Sequence, residues 1–377
     1  MNKLQLLKNP YIGEKSLKLS KVIPSRSINL ATSGTAYNQL LSFDLETVRQ
    51  HNGLYRMFIK VSDISYTPDQ STPYTFSFEN YFIYLIKKLR LRTKNDTTLM
   101  EYDYRYTLKR INENENNYWG ELYDDLTSFT NTTTTAYVPL FMFFDQTKPL
   151  DLRKIEPLEL LVEINDLSST FESGFVAPND EFDLVSARFD LVCLFEDSIE
   201  KGPLMNIGDL TLYPPMPSKL TESYDIFYEP IVSVSNATTV KVLLECPYPC
   251  YAIHALAQGS LMTTFGSITN AKLESANEVI FDLDSNIVKL HQPTAEGTFF
   301  SYQFVSGDLM DKFGTKKYDP KASGLIDFSS SFYPAYLELT FSTAFTGSVV
   351  VFYEYVSDLE VKNSTIVRTA TGKFKIR

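Results

Sequence analysis

Three histidines, three cysteines and a scatter of acidic pairs are the residues of this 377-residue sequence whose types could carry chemistry. His51, His254 and His291 are the only candidates for the commonest general base and metal ligand, and no two of them stand at ligand spacing. His254, in YAIHALA, is expected to face a core or a sheet surface. Cys246 and Cys250 frame C-P-Y-P-C, with three residues between them and no second pair to complete a zinc site. Cys193 sits in an alternating stretch and reads as a small core hydrophobe. No disulfide framework follows from an odd number of cysteines. Asp282, Asp284 and Asn286 resemble the opening of a calcium loop, but Ile287 replaces its glycine and no glutamate closes it. Asp124 with Asp125 has the form of a carboxylate pair, and Trp119 could be a sugar-stacking platform. A solvated face and ordinary aromatic packing are the readings that weigh more. There is no nucleophile elbow, P-loop, dinucleotide fingerprint or zincin motif. The sequence therefore predicts no catalytic residue, no metal site and no cofactor.

The elements that would position any site are strands. In LELLVEI, Leu158, Leu160, Val162 and Ile164 point one way, and Glu159, Leu161 and Glu163 the other. Twenty-seven phenylalanines and 24 tyrosines favour the same element. Strand-like runs cover residues 40–45, 54–61, 81–92, 97–106, 138–144, 158–164 and 188–195. TLKRINENENN, residues 107–117, is charged and reads as a short helix or a long loop. Four prolines between residues 200 and 222 then make a stiff seam. Strands resume at 226–234, 239–245, 250–257, 278–283, 299–305, 335–341 and 347–355, with a short helix expected at 308–313.

The two halves end alike. The first closes with E-P-L-E-L-L-V-E-I and A-R-F-D-L-V-C-L-F-E-D-S, the second with Y-P-A-Y-L-E-L-T-F and G-S-V-V-V-F-Y-E-Y-V-S-D. Aligning Leu158-Glu159-Leu160 with Leu337-Glu338-Leu339 sets the closing strands in equivalent places. The first half has a long loop, 166–183, where the second has S-T-A-F-T-G, read as a tight turn. Two tandem β-sandwiches account for the length.

Charge is unevenly spread. Lys3, Lys8, Lys15, Lys18, Lys21 and Arg26 against Glu14 give residues 1–26 a net +5. Lys362, Arg368, Lys373, Lys375 and Arg377 give residues 361–377 another +5. The total of −11 leaves −21 for the body. A body this acidic argues against sequence-specific nucleic-acid binding. The tails suit an anionic surface, lipid or nucleic acid, or are simply solvated. Leu4, Leu6, Leu7, Leu17, Leu19 and Ile23 among the lysines suit a lipid interface, or a dock on the protein's own base or a neighbour's. MNKLQLLKNPYIGEK lacks the apolar run of a signal peptide, and no stretch is long enough to span a membrane, so folding in a reducing cytoplasm is expected.

In architecture, and in the stretch A-Y-V-P-L-F-M-F-F followed by P-L-D-L and I-E-P-L-E-L-L-V-E-I, residues 136–164, the chain resembles the double jelly-roll major capsid proteins of tailless icosahedral, membrane-containing viruses such as the tectiviruses and corticoviruses. The resemblance implies an all-β fold of two tandem jelly rolls with a few short helices and extended basic termini. It divides the chain into a basic arm at 1–27, a first roll at 28–200, a Pro-rich linker at 201–222, a second roll at 223–360 and a basic tail at 361–377. It further implies a non-enzymatic protein of the virion, made in the host cytoplasm. Homotrimers would form pseudo-hexagonal tiles of an icosahedral lattice, with minor capsid or vertex proteins as further partners. The loops 127–135 and 166–183 would reach outward or between neighbours. The basic residues of both termini would face inward, toward membrane or genome, or toward adjacent capsomers. Two other readings fit tandem β-sandwiches: a carbohydrate-binding or carbohydrate-active protein, and a trimeric viral spike.

Overall fold

The computed structural model describes residues 17–24, 27–29, 39–67 without 52, 77–112 without 79, 126–142 without 131–132, 150–165 without 151 and 154, and 183–197; then 219–246 without 229–230, 250–259, 264–287 without 276–277 and 285, 299–304, 326, 328, 334–362 and 365–370. In chain order the first half holds β1 (Leu17–Ile23), β2 (Ser27–Asn29), β3 (Gln39–Asp44), β4 (Leu54–Thr67), β5 (Ser77–Phe78), α1 (Tyr81–Leu85), β6 (Ile86–Thr93), β7 (Thr98–Asp103), α2 (Tyr104–Asn112), β8 (Phe129–Thr130), β9 (Thr135–Leu140), β10 (Leu158–Ile164) and β11 (Asp183–Asp197). The second half holds β12 (Lys219–Tyr228), β13 (Val232–Leu244), β14 (Cys250–Gln258), β15 (Ile268–Ser275), β16 (Glu278–Leu283), β17 (Phe299–Gln303), β18 (Ala335–Lys362) and β19 (Thr365–Ala370).

The first half is a sandwich of two antiparallel sheets, β1-β11-β4-β9 and β3-β10-β6-β7, with β2 beside β11. Setting aside the short β2, β5 and β8 leaves eight principal strands. One sheet takes them in the order first, eighth, third, sixth, and the other second, seventh, fourth, fifth. That interleaving of two Greek keys is a jelly roll. The alternation seen in LELLVEI has its physical reason here. Leu158, Leu160, Val162 and Ile164 are buried between the sheets, while Glu159 and Glu163 lie outward. Met57, Ile59 and Val61 of β4, Leu89 and Leu91 of β6, and Phe189 and Leu191 of β11 complete that core.

The second half repeats this order. β18 is one continuous strand doing the work of two. Its first part, 335–341, pairs with β13 and β15, and β16 extends that sheet beyond β15. Its second part, 348–360, pairs with β12 and β14, and β17 lies beyond β14. With the parts counted as seventh and eighth strands, the two sheets are again 1-8-3-6 and 2-7-4-5. Leu158-Glu159-Leu160 and Leu337-Glu338-Leu339 therefore occupy the same topological strand, as their likeness predicts.

Several expectations are corrected. S-T-A-F-T-G is a strand and not a turn: β13 bends with β18 around the corner, slipping register between Val234, Ala237 and Thr239, and Asn236 takes a left-handed φ of 47°. Residues 81–92 do not form one strand. Tyr81–Leu85 is helical, entered through Asn80 at φ 56°, and only Ile86 onward pairs. The strand expected over 97–106 ends at Asp103, and the helix follows at once. The strand expected at 226–234 is two, β12 ending at Tyr228 and β13 starting at Val232. The 308–313 segment lies outside the described residues, as does the loop at 166–182.

The rolls share a buried seam. Along β14, Ile253, Ala255 and Ala257 face the second core, whereas His254 and Leu256 face the first roll. Along β18, Val349, Val351 and Tyr353 face inward, and Phe352 joins the first roll's core. A sheet covered on both faces needs apolar residues at both parities, which is why G-S-V-V-V-F-Y reads as an unbroken run. Each large apolar side chain so buried contributes about 1.5–3 kcal/mol.

Candidate assembly surfaces and the joint between the rolls

The polar centre of the seam is built from α2 on one side and from β14 and β18 on the other. Helix α2 brings Arg105, Lys109 and Arg110 to the second roll. Lys109 donates from Nζ to the Glu354 carboxylate, and both side chains are buried. His254 Nε2 stands 3.0 Å from the same oxygen, and the imidazole lies against the Phe352 ring at 5.0 Å. Burial works to raise the Glu354 pKa, but Lys109, His254 and Arg110 outweigh it and hold the carboxyl well below its ordinary value. One turn away, Arg105 donates from Nε and Nη2 to Gln258 Oε1 at 3.1 and 2.7 Å. Gln258 in turn donates to the Tyr104 hydroxyl at 2.6 Å. This network ties residues about 150 to 250 positions apart in the chain and joins the first roll to the second. No local sequence signal marks it. TLKRINENENN reads as a short helix or a long loop, with nothing to mark burial, yet its Lys109 and Arg110 are buried.

The other candidates for chemistry have structural surroundings. Cys193, Cys246 and Cys250 are free thiols and buried, and burial pushes the Cys193 thiol up to about 12. Cys250 Sγ donates to the Ile326 carbonyl at 3.5 Å. The His51 ring packs against Phe195 at 5.0 Å. Asp284 accepts from the backbone N–H groups of Asn286 and Ile287 at 2.9 and 3.1 Å, so the calcium-like run caps a turn. His291, Trp119, Asp124 and Asp125 lie outside the described residues. Among the described residues no three metal-ligating side chains converge, and no helix is long and apolar enough to cross a membrane.

Parts of the basic termini belong to the sheets. Lys18 and Lys21 belong to β1, which pairs along its whole length with β11; Lys18 lies opposite Glu196 and Lys21 opposite Cys193. The arm boundary at residue 27 is therefore corrected: 17–23 is the first strand of the first roll, with Ile23 in its core. Lys362 ends β18, and Arg368 lies in β19 opposite Leu359. The tail expected from 361 thus begins as a hairpin. The linker's far end is likewise strand, since β12 starts at Lys219. Lys3, Lys8, Lys15, Arg26, Lys373, Lys375 and Arg377 lie outside the described residues.

Outward faces of the two seventh strands carry matching charge. Glu159 accepts from Arg92 at 2.9 Å, and Glu163 from Lys87 at 2.6 Å. In the second roll Glu338 stands in register between Lys241 and Lys272, both of which pair with Glu274, at 3.0 and 2.5 Å. These half-exposed pairs each contribute little to stability. The sheet edges differ. β7, at the edge of the first roll's second sheet, has β12 of the second roll beside it, and Leu99, Met100 and Tyr102 are buried. Among the described residues its counterpart β16 has no such neighbour, and Val279 is 53% and Ile280 41% exposed. At the opposite kind of edge, β1 leaves Val22 52% exposed.

No protein-family model and no curated protein sequence matches this chain. Solved structures do. The chain is similar to the "PBCV-1 virus capsid, quasi-atomic model" with a TM-score of 0.66 and 11% identity, over 95% of this chain and 98% of that one. A chain of the Sputnik virophage cryo-EM structure aligns with a TM-score of 0.61 and 11% identity, over 97% and 91%. The Faustovirus major capsid protein aligns with a TM-score of 0.55 and 8% identity, over 92% and 91%. At such identities the likeness lies in the path of the backbone, and that path includes both rolls and the seam. With its own strand order repeated twice, the chain is a double jelly roll, and its fold is the fold of these virus capsid proteins.

Proposed function

We propose that this chain is a viral major capsid protein, a structural component of the virion. One observation carries the reading. Two consecutive jelly rolls of identical strand order, joined by a buried seam, align over nearly the full length of the capsid chains they resemble. Three copies would place six similar rolls around one axis, a pseudo-hexagonal tile that packs into an icosahedral lattice. The basic residues ahead of β1 and beyond β19 would face the interior, where membrane or genome supplies anionic groups, or the flanks of neighbouring capsomers. Minor capsid or vertex proteins would fill the positions that a hexagonal tile cannot. Synthesis in a host cytoplasm agrees with three free, buried thiols. The work done is burial and self-association, and it requires no catalytic group.

Electron microscopy of the purified full chain tests this. Six-lobed particles about one axis, or ordered sheets and shells built from them, are the expected images. Isolated two-lobed particles at every concentration would contradict the proposal.

A further inference from the structure

The second roll turns one sheet toward the first roll and the other away from it. Leu256 of β14 and Phe352 of β18 pack into the first roll's core, so the sheet of β13, the first part of β18, β15 and β16 presents its outer face on the far side. Register sets two rows across these four strands. Leu243, Tyr336, Glu274 and Val279 make one row, and Lys241, Glu338, Lys272 and Asp282 the next. The residues between the rows, Val242, Leu337, Leu273 and Phe281, are buried, so both rows lie outward. One row has an exposed apolar residue at each end, Leu243 and Val279, with a phenol and a carboxylate between them. The other alternates plus, minus, plus, minus. Such rows are complementary to their own reverse. Laid on a reversed copy, Leu243 meets Val279, the Tyr336 hydroxyl donates to Glu274, Lys241 meets Asp282, and Glu338 meets Lys272. The corresponding face of the first roll lacks this property: reversal sets Leu40 on Asp103 and Leu161 on Arg90.

We infer that this face of the second roll seats on the same face of a second copy, across a two-fold axis that runs parallel to the strands between β18 and β15. The contact is isologous, so every pairing occurs twice. An axis along the strands leaves both copies standing the same way up, as neighbours in one shell must, and for that setting the inference rests on the capsid reading. The complementarity itself comes from the register. Two rows of four residues a side are far fewer than the roughly 20–30 of a stable free complex, so the contact acts where many add up, inside a lattice.

The test is disulfide trapping in ordered sheets or shells of the full chain carrying both Leu243→Cys and Val279→Cys, with each single variant as control. The native thiols are buried and stay silent. The expected result is a covalent two-chain species from the double variant, nothing longer, and none from either single variant. Ordered assemblies without the cross-link would overturn the inference and leave the capsid reading standing. Cross-linking of Leu243→Cys alone would mean a different facing and would also overturn it. An unaltered chain that forms no ordered assembly removes both. Mixing gives an independent reading. Lys241→Glu with Lys272→Glu makes the charged row all acidic, and Asp282→Lys with Glu338→Lys makes it all basic. Each variant alone should need about tenfold more protein to assemble, and an equal mixture should return to the wild-type threshold. No restoration on mixing argues against the two-fold contact.

Discussion

Glu354 joins the two rolls through one buried carboxylate. Lys109 arrives from the first roll and His254 from the second, and both meet one carboxylate away from water. Removing one partner of such a cluster strands the others. Glu354→Ala should therefore cost about 3–5 kcal/mol, read as a lower denaturation midpoint. Replacing Lys109 and Glu354 together by apolar residues of similar volume should cost much less, which separates charge from packing. The pH dependence has a definite sign. The folded Glu354 pKa lies below the unfolded one, so its contribution is complete above the ordinary glutamate range and is lost as pH falls through the folded pKa. Acid should weaken the wild type more steeply than Glu354→Gln, as thermal midpoints between about pH 5 and pH 2 would show. Equal slopes would mean that Glu354 is not ionised in the folded protein.

Strands that turn a corner are the elements on which the second roll depends. Gly347 sits at the corner of β18, where an added Cβ would come 2.2 Å from the Gln258 carbonyl oxygen. Gly347→Ala should destabilise by about 1–3 kcal/mol, because two backbones must part, and it should disturb the Gln258 joint to the first roll. β1 makes a second prediction. Deleting residues 1–16 removes the arm and spares the sheet, so its melting temperature should match the full chain. Deleting 1–26 takes an edge strand from β11 and should lower it by several degrees or cause aggregation. The sequence showed most strands through alternation and their repeat through L-E-L. It hid β15, because a register slip between Ile268 and Asn270 breaks the period of two that marks a half-buried strand. It hid α1, because Tyr-Phe-Ile-Tyr-Leu has strand propensity and tertiary packing decided otherwise. The seam was illegible for a different reason. Lys109 and Glu354 are 245 residues apart, and burial of a lysine leaves no trace in local hydropathy.

At the scale of the whole molecule, two rolls of one strand order, joined by a buried seam, form the unit that the proposed capsid role would repeat. The outer faces of both rolls carry paired acids and bases. The measurement that tests that role most directly is the native mass of the full chain by light scattering behind a sizing column, at low and high salt. The account predicts a species of three chains at both salts, with larger regular assemblies as concentration rises. A single chain at all concentrations and salts would contradict it.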